Sequence, residues 1–115
     1  MISVTPGSSV AAAAALLSER RIGTVVVSAD GITLDGILSE RDIVRALGAS
    51  GPSCLDQKVS ELMTATIITC APTDQTDSVL EQMTVGRFRH MPVMADGKMI
   101  GLISIGDAVK ARLSE

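Results

Sequence analysis

Two short stretches of this sequence carry the side chains best suited to chemistry. Ser39 and Asp42 are separated by two residues, and Ser104 and Asp107 repeat that spacing. Each pair follows an apolar run and precedes a helical pattern, so it stands where a strand ends and a helix starts. A carboxylate there can accept hydrogen bonds from both hydroxyls of a vicinal diol, a bidentate contact. The serine hydroxyl and the N–H groups of a first helical turn suit a phosphate. Arg41 adds a fixed positive charge matched to phosphate oxygens. The Ser-x-x-Asp spacing also fits a capping box, in which the serine caps the backbone and the acid reaches back to it. Both copies need a helix start, so the duplication alone does not choose between the two roles.

Other chemistries find less support. His90 is the only histidine, which leaves a zinc site short of ligands. Ser39, Asp42 and His90 could be named as a triad, but the sequence holds no G-x-S-x-G elbow. It has no Walker A motif and no G-x-G-x-x-G either. Cys54 and Cys70 stand apart and read as buried, reduced thiols. Met63, Met83, Met91, Met94 and Met99 are scattered over different segments and read as core rather than as a soft-metal box. Arg87, Arg89 and His90 cluster around Phe88, the single aromatic residue. One ring is too few for a single-strand nucleic-acid platform, and a net charge of −3 disfavours polyanions.

The chain has 115 residues, 46% of them hydrophobic and 20% charged, so one well-filled core is expected and disorder is not. The longest apolar run, Val10 to Leu17, is far too short to span a bilayer. No basic residue precedes it, and Pro6-Gly7-Ser8-Ser9 reads as a turn opening a helix. The expectation is a soluble, cytoplasmic protein without a membrane or nucleic-acid partner.

Self-comparison supplies the organisation. Pro6, Arg21, Val27 and Asp30-Gly31 match Pro72, Arg87, Val93 and Asp96-Gly97, each 66 positions on. Past the Asp-Gly turns the offset falls to 65: Gly36, Ser39, Asp42, Val44 and Ala46 match Gly101, Ser104, Asp107, Val109 and Ala111. The first copy predicts a helix from the Pro6–Ser9 turn to about Arg20, with Val10, Ala13, Leu16 and Leu17 on one face. A buried strand over Thr24 to Val27, a turn, a strand over Leu34 to Leu38 and a helix from Ser39 to about Leu47 follow. The second copy predicts a helix from Asp74 or Thr76 to Gly86, strands over His90 to Met94 and Lys98 to Ile103, and a helix from Ser104 to about Leu113. Between them, Gly48 to Pro52 reads as a loop, Val59 to Met63 as a short helix and Ile67-Ile68-Thr69 as a small strand. The expected division is repeat 1 over residues 1–48, a linker over 49–58 and repeat 2 over 59–115. Neither half can bury its sheet alone, so the two are expected to pack into one globule. The counterpart of Val59 to Met63 falls before residue 1, and a native chain that starts earlier is expected.

This arrangement resembles the tandem cystathionine-β-synthase-type (CBS) domain pair, or Bateman module, along essentially the whole chain. The carrying residues are Gly36-Ile37-Leu38-Ser39-Glu40-Arg41-Asp42 and Gly101-Leu102-Ile103-Ser104-Ile105-Gly106-Asp107. Val59-Ser60-Glu61-Leu62-Met63-Thr64 resembles the family's segment between repeats, and Arg87 to Val93 the start of its second-repeat strand. The resemblance implies an α/β (α+β) fold of two βαββα repeats about a pseudo-twofold axis, with clefts between the sheets, and pairing of modules into a homodimer. It implies a regulatory ligand, AMP, ADP, ATP or S-adenosylmethionine, no catalysis, no required cofactor, and control of an attached or partner protein.

By the same resemblance, Asp42 and Asp107 are assigned to ribose, and Ser39 and Ser104 to phosphate or ribose-side contacts. Adenine would sit against Ile67, Ile68 and Thr69, with Met91 and Pro92 nearby. Arg89 and His90, which replace Gly23 and Thr24 of the first copy, flank the second motif, where the residues alone allow either ligand contact or plain exposure. Across the pseudo-twofold, Arg41 would reach the phosphates of a ligand whose ribose Asp107 holds. The first-copy counterparts of the adenine wall, Ile2 and Ser3, lie at the terminus, so the Asp107 side is expected to be the occupied one. The competing expectation is a ligand-free homodimeric scaffold.

Overall fold

Ser9 fixes where the first helix starts. Its hydroxyl accepts the Ala12 N–H at 3.1 Å, and helix α1 then runs Val10–Arg20 through an alanine run of high helix propensity. The computed structural model of the chain describes residues 2–87 and 89–113; the Phe88 reading lies outside them. It divides into two compact units, Met1–Ile67 and Ile68–Glu115.

In the first unit the order is β1 (Ser3–Val4), α1, β2 (Thr24–Val27), β3 (Gly36–Ser39), α2 (Glu40–Ser50), a 3₁₀ turn (Gly51–Asp56) and α3 (Val59–Leu62). The strands form one sheet in the order β1-β2-β3, with β1 parallel and β3 antiparallel to β2. β-Branched Val25 and Val27 of the central strand pack with Val10, Ala13 and Leu17 of α1, Leu38, Ile43 and Val59. In the second unit α4 (Thr76–Gly86), β4 (His90–Ala95), β5 (Lys98–Ser104) and α5 (Ile105–Leu113) follow one another. There Cys70, Val79, Met83, Met91 and Val93 make the core.

The sequence repeat is written in backbone hydrogen bonds. The Ser28 N–H donates to the Val4 carbonyl and the Met94 N–H to the Cys70 carbonyl, both at 2.8 Å. The Glu40 N–H donates to the Gly23 carbonyl and the Ile105 N–H to the Arg89 carbonyl, at 2.9 and 2.8 Å. Arg21 and Arg87 end α1 and α4 in the left-handed region, at φ 54° and 57°. The units are thus α+β: the first follows the βαββα plan, and the second follows it with a single parallel bridge, Cys70 to Val93, in place of the leading strand.

The one-residue slip in the repeat lies at the hairpin tips. In the second unit Asp96 and Gly97, both at positive φ, make a two-residue turn whose twist suits a tight hairpin. In the first unit the tip is wider. Asp30 accepts the N–H groups of Ile32 and Thr33 and the hydroxyls of Thr33 and Ser28, while Asp35 accepts the Ala29 N–H. These carboxylate contacts replace ladder pairing, so β3 begins at Gly36 rather than at Leu34.

Two other expectations need correction. The segment from Gly48 to Pro52 is not a loop: α2 continues to Ser50, and Pro52 then opens the 3₁₀ turn, a position where its missing N–H is harmless. Ile67-Ile68-Thr69 forms no strand; the only pairing there is a parallel bridge between Cys70 and Val93. The Cys70 N–H donates to the Pro92 carbonyl, so Pro92 turns toward this segment the side on which it lacks an N–H. The ladder stops there. In the first unit Val26 holds the equivalent place, has its N–H, and β1 spans two residues. Among the described residues, no helix is long and apolar enough to cross a membrane.

Candidate functional site

Each Ser-x-x-Asp pair sits at a corner where a strand turns directly into a helix. In the first unit Ser39 is the last residue of β3 and the N-cap of α2, in an extended conformation. Its N–H and its hydroxyl both donate to Asp42 Oδ2, at 2.9 and 3.0 Å, and its Oγ accepts the Asp42 N–H at 3.3 Å. The second unit repeats the corner: the Ser104 N–H donates to Asp107 Oδ2 and the Asp107 N–H to Ser104 Oγ, both at 3.1 Å. Both motifs are therefore closed capping boxes. Each box engages its carboxylate through Oδ2, so a diol would be met by Oδ1.

The corners differ in what surrounds the box. In the first, Arg41 is exposed on α2, and the Glu40 carboxylate folds over Gly23, where an added Cβ would lie 3.3 Å from Glu40 Oε1. In the second, Gly106 and Ile105 replace Arg41 and Glu40, and Arg89 replaces Gly23. His90 begins β4 directly opposite Ser104 in the antiparallel register, half-buried, with Arg89 exposed beside it. The Ser104 N–H and hydroxyl, Lys110 and His90 hold the Asp107 carboxyl below its usual value. Burial, and then Arg89, hold the His90 imidazole below its usual value, while Asp107 pulls it partly back.

The sequence-expected residues thus fall into groups. Ser39, Arg41 and Asp42 share the first corner; Arg89, His90, Ser104 and Asp107 share the second. Met91 and Pro92 are buried, Met91 as a member of the core. Ile67 is half-buried, while Ile68 and Thr69 are exposed, Ile68 by 50%. Among the described residues, no group of three or more His, Cys, Asp or Glu side chains is gathered as a metal would require. Cys54 and Cys70 are buried free thiols, and burial and Asp74 push the Cys70 thiol up.

One feature escaped sequence reasoning. A groove of about 550 Å³ opens on the helical side of the first unit, lined by Leu17, Ile22, Ile43 and Val44 together with Arg21 and Glu40. The signal available for it was Val44 and Leu47, apolar residues on the otherwise polar α2, which are 64% and 38% exposed.

Comparison with known proteins agrees with this architecture. The family model described as "CBS domain" matches residues 1–49 and 59–114. The chain is 37% identical over 103 residues to the mitochondrial CBS domain-containing protein CBSX3 of Arabidopsis thaliana, covering 86% of this chain and 50% of that one. An Acidianus ambivalens protein of 17.7 kDa is 33% identical over 96% of this chain and 66% of its own length. The chain thus spans between half and two thirds of these curated relatives. Among solved structures, a CBS-domain containing protein from Agrobacterium tumefaciens superposes with a TM-score of 0.91 at 46% identity, covering 97% of this chain and 89% of that one. CBSX2, solved in complex with AMP, superposes with a TM-score of 0.82 at 29% identity over 97% of this chain and 87% of its own. Two family matches on one chain, a shared hydrogen-bond frame in both repeats and these superpositions lead to one conclusion: the chain belongs to the CBS-domain family, as a tandem pair.

Proposed function

We propose that the chain is a non-catalytic regulatory module that binds an adenosyl ligand, AMP, ADP, ATP or S-adenosylmethionine. The observation that carries the reading is the AMP complex of CBSX2, a relative that superposes along almost the whole of this chain. The corner geometry supports it. Asp107 and Asp42 present Oδ1 for ribose hydroxyls while Oδ2 keeps the helix start, and Ser104 and Ser39 stand beside them. Arg41, Arg89 and His90 supply the cationic or titratable groups, and Ile67, Ile68, Thr69, Met91 and Pro92 the apolar side. Residues 49–58 serve as the link between repeats. Two buried free thiols suit a reducing compartment such as the cytoplasm.

Calorimetric titration with the four ligands tests this reading. Asp107→Asn keeps an oxygen for the Ser104 N–H but loses the charge, so the fold should stay and affinity should fall. A ligand at a hundred times its dissociation constant raises stability by about 2.7 kcal/mol. A panel in which none of the four produces heat or raises the melting temperature would defeat the reading.

The α1–α2 groove favours a second element, self-association. We propose that a second copy seats on this face. Its apolar lining is flanked by Arg21 and Glu40, opposite charges on one patch that a twofold axis would bring together. Val109 of α5, the repeat equivalent of Val44, is also 43% exposed. Val44→Glu should convert a dimer to a monomer in analytical ultracentrifugation; a wild-type protein already monomeric at tens of micromolar would exclude this pairing.

A further inference from the structure

His90 stands where the first repeat has Thr24, and it is the chain's only histidine. Its neighbours are defined. Across the hairpin, β5 sets uncharged Ser104 opposite it, while Lys98 lies at the far end of that strand, beside Ala95. Helix α5 brings Asp107 and, one turn on, Lys110. Arg89 adjoins it on its own strand, and α4 packs on the unit through apolar Val79 and Met83. Among the described residues the half-buried imidazole is influenced by the Asp107 carboxylate and the Arg89 guanidinium, at the corner that holds the second Ser-x-x-Asp pair. The first corner, with Thr24, has nothing that changes charge near neutrality.

We propose that His90 links ligand binding at this corner to protons: an anionic phosphate bound beside Asp107 draws one proton from solvent onto the imidazole. Nucleotide affinity then rises as pH falls from neutrality toward the ring's own depressed pKa, and affinity for the phosphate-free nucleoside does not. This rests on the adenosyl-ligand reading above. Burial, and then Arg89, disfavour the charged form of the ring. A ribose gripped by Asp107 keeps its 5′-phosphate within the length of one nucleoside of that carboxylate, on the corner His90 shares. The added negative charge offsets both disfavouring influences. Two charges roughly 7 Å apart near a partly solvated surface, screened by salt, support a change of about five- to tenfold in affinity.

Because there is one histidine, its imidazole gives a single set of resonances, and NMR titration reads its pKa directly. The expected result is an apo value below the ordinary histidine range that moves up by roughly 0.7 to 1 unit, the same five- to tenfold, in saturating AMP and stays put in saturating adenosine. Calorimetry on wild type and His90→Gln between about pH 5 and pH 8 gives the second measurement. Comparing the two proteins cancels the titration of AMP itself. Wild type should gain more AMP affinity on acidification than the variant gains, approaching about five- to tenfold only as pH passes below the free imidazole pKa that NMR reads. If AMP binds but the imidazole pKa does not move, or the two proteins show equal pH slopes, the proton link is wrong while the ligand reading stands. If AMP and adenosine bind at no pH, both fall.

Discussion

Alanine at Gly36 and alanine at Gly101 should have opposite effects, although the two glycines are the same position of the repeat. Gly36 is buried at the start of β3, paired with Val27. A Cβ built there would lie 2.5 Å from Met63 Sδ, 2.9 Å from Met63 Cγ and 3.0 Å from the Thr64 carbonyl oxygen. Met63 can swing aside, but the Thr64 backbone cannot recede freely. Its carbonyl accepts the Ile37 N–H at 3.0 Å and its N–H donates to the Ile37 carbonyl at 2.9 Å. Overpacking of this kind costs about 1–3 kcal/mol, and losing one of the two backbone bonds adds about 1 kcal/mol. Gly36 is not at positive φ, so the entropic gain from replacing glycine returns about 0.5 kcal/mol. The net loss is about 2 kcal/mol. At Gly101 the same Cβ meets only Val93, at 3.9 Å, an ordinary contact. Gly101→Ala should therefore be neutral or stabilising by about 0.5 kcal/mol.

Thermal unfolding followed by circular dichroism, with urea titration for the free energy, separates the two. At roughly 4 °C per kcal/mol for a chain of this size, Gly36→Ala should melt about 8 °C lower and Gly101→Ala no lower than wild type. Adding Met63→Ala to Gly36→Ala should recover part of the loss beyond additivity, because the nearest clashing atoms are gone. Equal losses at both glycines, or a Gly36→Ala protein melting within a degree of wild type, would refute the packing argument.

Other outcomes follow from the same geometry. Asp42→Ala removes the acid of the first capping box and should cost about 1 kcal/mol in urea unfolding, while Asp42→Asn should cost less. Arg21→Gly and Arg87→Gly, at helix ends with φ 54° and 57°, should each stabilise by up to about 1 kcal/mol, seen as raised melting temperatures. The Asp30 carboxyl is held far below its ordinary value, chiefly by the Thr33 and Ile32 N–H groups. With its folded pKa depressed, the unfolded chain takes up the proton first, near pH 3.9, so this contribution is full above that pH and lost as pH falls below it. Asp30→Asn should flatten the dependence of melting temperature on pH between about 2 and 4; an unchanged slope would show that the hydrogen bonds do not bias its ionisation.

Most of the fold was legible because local signals agree with one another. The alanine run after Ser9, the β-branched Thr24 to Val27 and the Asp96-Gly97 turn each point to the element found. The repeat offset was informative to the level of single hydrogen bonds, since Val4 with Ser28 and Cys70 with Met94 are related by it. What misled were residues whose effect depends on a distant partner. Ile67 to Thr69 has strand composition, but its pairing is limited by Pro92, more than twenty residues away. Gly48 looks like a helix end, yet α2 carries on to Ser50. Asp35 and Asp30 shorten β3 by side-chain bonding that hydrophobic alternation does not encode. At the corners the residue types were legible, and so was the capping geometry; Met91 is buried because β4 packs on the second core, and Ile68 lies outside any strand.

The two corners separate what the fold requires from what it does not. Ser39 with Asp42 and Ser104 with Asp107 close the same box, so each aspartate has a structural reason to be present before any ligand is considered. Duplication of that pair is therefore evidence about helix starts. The residues around the boxes carry no such obligation. Glu40 and Ile105 make the same backbone bond to the preceding strand, yet one bears a carboxylate and the other an apolar chain. Gly23 and Arg89 accept those bonds through the same carbonyl and differ in everything beyond it. Arg41 against Gly106 and Thr24 against His90 complete the set: four positions per corner where backbone roles coincide and side-chain chemistry does not. Selection for folding alone would leave such positions free to drift, and a ligand that uses the two corners unequally would fix them. Exchanging Arg89-His90 for Gly-Thr, the pair present at residues 23 and 24, tests this without touching either box. Stability should change by less than about 1 kcal/mol, as for half-exposed positions outside the core, while AMP affinity falls. A protein that binds AMP as before would assign the divergence to drift.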